Sequence, residues 1–136
     1  YRSKKCKEWR EKNPDYKRKW REHNYDKWLT YARTYSRKRR ERKVGLDSGY
    51  TVLHEKISLM AFGNICASCG YTKSLAIDHH YPLSRGFGLA LDNAVPLCHS
   101  CNSKKTNSMP KDFYTKEKLS RIEWTLTVIT ADNIRL

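Results

Sequence analysis

Polar and apolar positions fall into three regimes along the 136 residues. Residues 1–43 are charged and polar, punctuated by aromatics rather than aliphatics. Trp20, Trp28, Tyr31 and Tyr35 recur at intervals of eight, three and four, which is helical spacing, and Trp9 and Tyr16 extend the series backwards. A loose repeat is visible as WREKNPDYKRKW from Trp9 and WREHNYDKW from Trp20. Asn13-Pro14 reads as a helix N-cap with Pro in the first turn, and Asn24 as a second cap. Asp15 and Asp26 would lie in first turns, where negative charge is favoured. The pattern predicts helices over 4–12, 14–23 and 25–42, with Gly45 as a stop. On the structural reading the aromatics pack against the body or one another. On the functional reading they face inward along an arm whose basic residues meet phosphates.

Residues 50–62 form the second regime, with Val52, Leu53, Ile57, Leu59, Met60 and Phe62 predicting a short amphipathic helix. In the third regime Leu75-Ala76-Ile77 is a strand-like run, and Pro82 disfavours its continuation. A loop with Gly86 and Gly88 follows over 84–91, then Asn93–Leu97 leads towards Cys98. A helix is expected from about Asn102, with Pro110 closing that piece, and a last helix over 114–126. The tail 127–136 is apolar enough to pack, with a strand as one form.

Charge changes this picture. The formal net charge is +14, and residues 1–43 hold 18 Lys or Arg against 6 Asp or Glu. A field so concentrated favours a polyanionic partner, nucleic acid ahead of an anionic membrane. The aromatics lack the Leu and Ile backing of a membrane-inserting face, and no stretch has the length of a span. No apolar run opens the sequence, so no secretory signal is expected in it.

A chain this short has little core to spare, and an internal staple is expected. Cys66 and Cys69 form one CxxC pair, and Cys98 and Cys101 a second. Two such pairs separated by a loop read as a four-thiolate Zn²⁺ site, with disulfides or free thiols as the alternative. Gly70 permits the first knuckle to turn. Cys6 stands apart, and His99 is expected outside the metal shell.

The cysteines also organise chemistry. Phosphodiester hydrolysis needs a water, a base to deprotonate it and a cation on the phosphate and leaving oxygen. Asp78-His79-His80 supplies a hard oxygen ligand and an imidazole at one place, and Asn102 follows the second knuckle directly. If both knuckles grip one zinc, the loop between them closes and Asp78 can approach Asn102. A second ion, Mg²⁺ or Mn²⁺, between them would be the reagent. Blander readings exist: Asp78 as a loop cap, His79 as a packed histidine, Asn102 as a helix cap. His80 would face away from His79 on an extended strand, which suits a structural or DNA-contacting role over an auxiliary catalytic one.

The stretch LAIDHHYPLSRGFGLALDNAVPLCHSCNSKKTN, preceded by CASCG, resembles the HNH or ββα-metal nuclease signature in its cysteine-containing branch. The resemblance covers residues 66–107 and implies a strand pair, a loop and a helix around one catalytic divalent ion. It implies Asp78 and Asn102 as ligands of that ion and His79 as general base. It also implies Asn93 as the residue that holds the loop and orients the base, and Lys105 as a frequent lysine of the helix. Asn102 stands where many members have His, as in the HNN subtype. Two departures are Gly86-Phe87-Gly88, where paired glycines are usual, and His80, where an aliphatic residue is common.

The expected fold class is therefore α+β: a small ββα-metal core stapled by a four-cysteine zinc site, over 46–136, behind a basic helical arm over 1–45. The expected function is metal-dependent cleavage of DNA to 5′-phosphate and 3′-hydroxyl ends, one strand per site, with a homodimer as one route to double-strand cleavage. Arg37, Lys38, Arg39, Arg40, Arg42 and Lys43 of the clump RKRRERK, with Arg85, Lys104 and Lys105, are the candidate DNA contacts. A bacterial or phage-encoded, cytoplasmic setting is implied by resemblance alone. The competing readings are a zinc-stapled nucleic-acid-binding module without activity and an HNH nuclease acting on RNA.

Overall fold

The computed structural model describes residues 4–46 and 49–133. The chain divides into two compact units, 1–36 and 37–136.

The first unit holds α1 (Lys4–Lys12), α2 (Tyr16–His23) and the start of α3 (Tyr25–Lys43). All three expected helices form, and Asn24 directly precedes α3, its carbonyl accepting the Trp28 N–H at 2.9 Å, but the asparagine side chains bond backwards rather than forwards. The Asn13 amide donates to the Trp9 carbonyl at 2.8 Å, and the Asn24 amide donates to the Trp20 carbonyl at 3.0 Å. Each side chain folds back on the helix behind it, where an amide NH₂ adds a donor to a late carbonyl; the Trp20 carbonyl also accepts the Asn24 backbone N–H at 2.9 Å. Asp15 takes the N-cap position of α2 in place of Asn13, without a side-chain capping bond. Nor do the aromatics form a buried stripe: Trp9, Tyr16, Tyr25, Tyr31 and Tyr35 are exposed. They pair at the surface instead, Trp9 edge-on to Tyr16 and the Arg21 guanidinium over Trp28.

The second unit begins with the last turns of α3, where Arg37 and Glu41, four residues apart, are both buried. Next comes α4 (Val52–Ala61), opened by a capping box in which Thr51 and His54 satisfy each other's backbone N–H groups. Arg37 joins α3 to α4 through an ion pair with Glu55 at 3.5 Å. Its guanidinium also lies 5.0 Å from the Tyr50 ring centre, and the Tyr50 hydroxyl meets Ser58 at 3.1 Å.

Strands β1 (Leu75–His79) and β2 (Ala94–Cys98) pair antiparallel, from Leu75 opposite Cys98 to His79 opposite Ala94. All of β2 is buried, as its sequence AVPLC demands. Val95 and Leu97 pack with Ile122, Leu126 and Ile129 of α7 (Lys116–Asn133), while Ala94 and Ile77 pack with Tyr50 and Leu89. Pro96 is tolerated because β2 has an edge with no neighbouring strand among the described residues. Its carbonyl accepts the Ala67 N–H at 2.9 Å, which fastens the first cysteine knuckle to β2.

Helix α5 (His99–Lys105) follows β2 without a loop, three residues earlier than expected. Pro110 opens the short α6 (Pro110–Phe113) rather than ending the preceding piece. The tail expected as a possible strand is helical through Asn133, because Ile122, Leu126 and Ile129 continue one apolar stripe at helical spacing. Its remainder, 134–136, lies outside the described residues. Among the described residues no helix is long and apolar enough to cross a membrane.

Removing one partner of a buried ion pair strands the other charge, whereas replacing both with apolar groups is close to neutral. Arg37→Met should therefore lower unfolding free energy by about 3–5 kcal/mol. The double variant Arg37→Met/Glu55→Leu should recover most of it. Denaturant titration of the three proteins checks both expectations.

Candidate functional site

The four sulfurs of Cys66, Cys69, Cys98 and Cys101 lie within 4.8 Å of one another, and those of Cys69 and Cys98 are 3.7 Å apart. Zinc held by thiolates at about 2.3 Å in a tetrahedron requires sulfur separations of about 3.8 Å. The geometry is that of a structural zinc site, and the redox alternative of disulfides is not formed. Gly70, at φ +78°, turns the first knuckle so that its N–H reaches the Cys66 carbonyl at 2.8 Å. Burial pushes the Cys66 thiol up, but backbone N–H groups of Cys98, Cys69 and Ser68 outweigh it and bring the thiol down to about 7. Burial raises Cys101, with neighbouring thiols adding to the rise. Sulfurs this close resist ionising together, a conflict that a divalent cation relieves. Among the described residues the cluster consists of these four cysteines, without His99.

The second feature is a cleft of about 520 Å³ at the carboxyl end of β1. Asp78, His79 and Asn102 border it together, with Arg40, Lys43 and Lys105. The hairpin explains their meeting. Asp78 and His79 end β1, and α5 leaves β2 at Cys98, opposite Leu75 at the start of β1, then runs back so that Asn102 and Lys105 lie beside them.

Lys105 reaches in from the last turn of α5 and is 1% exposed. Its ammonium donates to Asp78 Oδ2 at 2.9 Å and to the His79 carbonyl at 2.7 Å. It fixes the carboxylate and leaves Oδ1 without a hydrogen bond among the described residues. Asp78 Oδ1 and the Asn102 amide oxygen are hard donors on one cleft. Hard oxygen donors are the type that Mg²⁺ and Mn²⁺ take.

His79 is 14% exposed in its side chain, and its Nε2 is buried without a hydrogen-bond partner. Burial lowers its pKa, against the opposing pull of Asp78 and Glu41. A neutral imidazole able to accept a proton is the result. Glu41 is 1% exposed, with Oε1 at 3.9 Å from His79 Nε2. Sequence reasoning missed it as a single acid inside a basic clump. The available signal was its spacing of four from Arg37, which puts both on one face of α3.

Asn93 holds the loop between the strands. Its Oδ1 accepts the Tyr81 N–H at 2.6 Å, and its Nδ2 donates to the carbonyls of Tyr81 and Gly88 at 3.1 and 2.9 Å. It makes no direct bond to His79. His80 is fully buried on another side, stacked on Tyr114 and bordering a different cavity with Glu123. Burial, with the charge of Lys105 adding, drives its pKa down to about 4.

The expected phosphate contacts divide. Arg39, Arg40, Arg42, Lys43, Arg85 and Lys104 are not buried, and Lys38 is half-buried. Arg37 and Lys105 are buried and engaged with Glu55 and Asp78.

The HNH endonuclease family model matches residues 66–108. That span holds both cysteine pairs, both strands, Asp78, His79, Asn93, Asn102 and Lys105. No curated protein and no solved structure matches the chain. The match and the four-cysteine cluster are together consistent with a zinc-binding branch of the HNH superfamily.

Elemental analysis should find one zinc per chain. Cys98→Ser should lose it and the cooperative melting of the 37–136 unit, since metal binding of this kind is folding free energy. Cys6→Ser should keep both.

Proposed function

We propose that the chain is a metal-dependent endonuclease that hydrolyses DNA phosphodiester bonds, leaving 5′-phosphate and 3′-hydroxyl ends. The observation carrying this reading is the convergence of Asp78, His79 and Asn102 on one cleft, inside the span matched by the HNH endonuclease model. A zinc module serving only to bind would have no use for a fixed carboxylate beside a neutral, partly buried imidazole.

Asp78 and Asn102 would hold the divalent ion, with Lys105 locking the carboxylate in place. When bound, that ion supplies positive charge to the phosphate and the departing 3′ oxygen. His79 takes the proton of the attacking water. Asn93 keeps the loop folded, so that β1 ends at a fixed distance from the cleft. Arg40 and Lys43 border the cleft and meet the phosphates flanking the scissile one, and Arg39, Arg42, Arg85 and Lys104 extend the contact. One such centre cuts one strand, and a homodimer would cut two.

Plasmid DNA incubated with Mg²⁺ or Mn²⁺ should be nicked by the wild-type chain. His79→Ala should lose about 10²–10⁴-fold in rate while keeping its zinc. Equal rates in the two proteins would remove His79 from the mechanism. An inactive wild type that still binds DNA would turn the reading into that of a binding module. Matched duplex DNA, single-stranded DNA and RNA substrates compare the nucleic acids directly, and preferred cleavage of RNA would overturn the choice of DNA.

A further inference from the structure

The buried carboxylate behind His79 has no place in the function proposed above. Glu41 projects from the last turns of α3 into the 37–136 unit and is 1% exposed. Its Oε1 accepts the backbone N–H of Leu89 at 2.8 Å. The same oxygen lies 3.9 Å from His79 Nε2, a buried atom that makes no hydrogen bond. We propose that Glu41 is a positioning residue for His79: its carboxylate holds the imidazole proton on Nε2 and orients the ring, leaving Nδ1 to accept the proton of the attacking water. The proposal rests on the reading of His79 as general base.

The chemistry is directional. An ionised carboxylate only accepts hydrogen bonds, so an imidazole turned towards it must present N–H. A neutral ring has one such group, and fixing it on Nε2 fixes the lone pair on Nδ1. At 3.9 Å the two atoms are not yet hydrogen-bonded. Catalytic hydrogen bonds are often long before substrate arrives and tighten in the complex. A ring movement of about 1 Å would close this one to ordinary length.

The placement also ties the base to its loop. Leu89 follows Gly88, whose carbonyl is held by Asn93. One oxygen of Glu41 thus faces both the end of β1, at His79, and the loop joining β1 to β2, at Leu89. A carboxylate oxygen facing both groups can accept from the Leu89 N–H and from an imidazole N–H. Asp78 is the other carboxylate acting on the ring, and Arg37 and Arg40 act on it with opposite sign.

Long-range ¹H–¹⁵N correlation spectra of the zinc-loaded full chain, with His79 assigned from His79→Ala, report the tautomer directly. Wild-type His79 should be protonated on Nε2. Glu41→Met should shift it towards the Nδ1–H form and lower kcat about tenfold or more, with KM for DNA little changed. Glu41→Gln offers an oxygen at the same place for Leu89 and His79, and should restore the Nε2–H form and part of kcat. A wild-type protein protonated on Nδ1 overturns the proposal without any variant. So does a zinc-loaded Glu41→Met with wild-type tautomer and kcat. If Glu41→Met does not fold, wild type and Glu41→Gln decide: Nδ1–H in either refutes the role. If the wild type cleaves no DNA, the nuclease reading fails, and the spectra still judge the contact between Glu41 and His79.

Discussion

Four sulfur atoms within 4.8 Å of one another constrain almost everything in residues 37–136. The two knuckles lie at opposite ends of the strand hairpin's sequence, so holding them together closes the hairpin from outside. Cys98 is at once the last residue of β2, a member of the cluster and the cap position of α5. The direction in which α5 leaves the sheet is therefore fixed by the same residue. Asn102 and Lys105 inherit their positions from that direction, one and four residues past Cys101. A core of this size could not hold a polar helix so firmly by apolar burial alone.

Within that frame the site is assembled around a buried cation rather than around a carboxylate cluster. Lys105 is nearly inaccessible, yet its ammonium has two oxygens within hydrogen-bond distance. It engages one oxygen of Asp78 and pins the backbone carbonyl of His79. The field at the cleft is then the sum of one remaining carboxylate oxygen, a neutral imidazole and the cations of α3. In the proposed nuclease that balance would serve a hydrated divalent ion and a phosphate together.

The core of this arrangement was legible because it is written in local, spaced residues. Two CxxC pairs, a strand-like LAI before DHH and an Asn after the second pair each have a fixed physical meaning at short range. Helix extents in residues 4–43 were legible for the same reason. What was not legible depends on which surface meets which. Arg37 and Glu41 sit in a clump that reads as solvent-facing charge, and only packing against Tyr50, Glu55 and Leu89 makes them interior residues. Lys105 carries no sequence mark that separates a buried ammonium from one on a phosphate. The asparagines at 13 and 24 can cap either neighbouring helix, since the same side chain both donates and accepts.

The two roles of α3 set a limit on modularity. Its early turns belong to the unit 1–36, and its last turns supply Arg37 and Glu41 to the unit 37–136. Exchanging the basic arm for another segment would succeed at a junction near Ser36. A junction at residue 45 would remove the floor beneath Tyr50, Leu89 and His79 along with the arm. In recombination between related chains, the stretch 37–43 would travel with the cysteine-stapled unit, although by composition it looks like the arm's own.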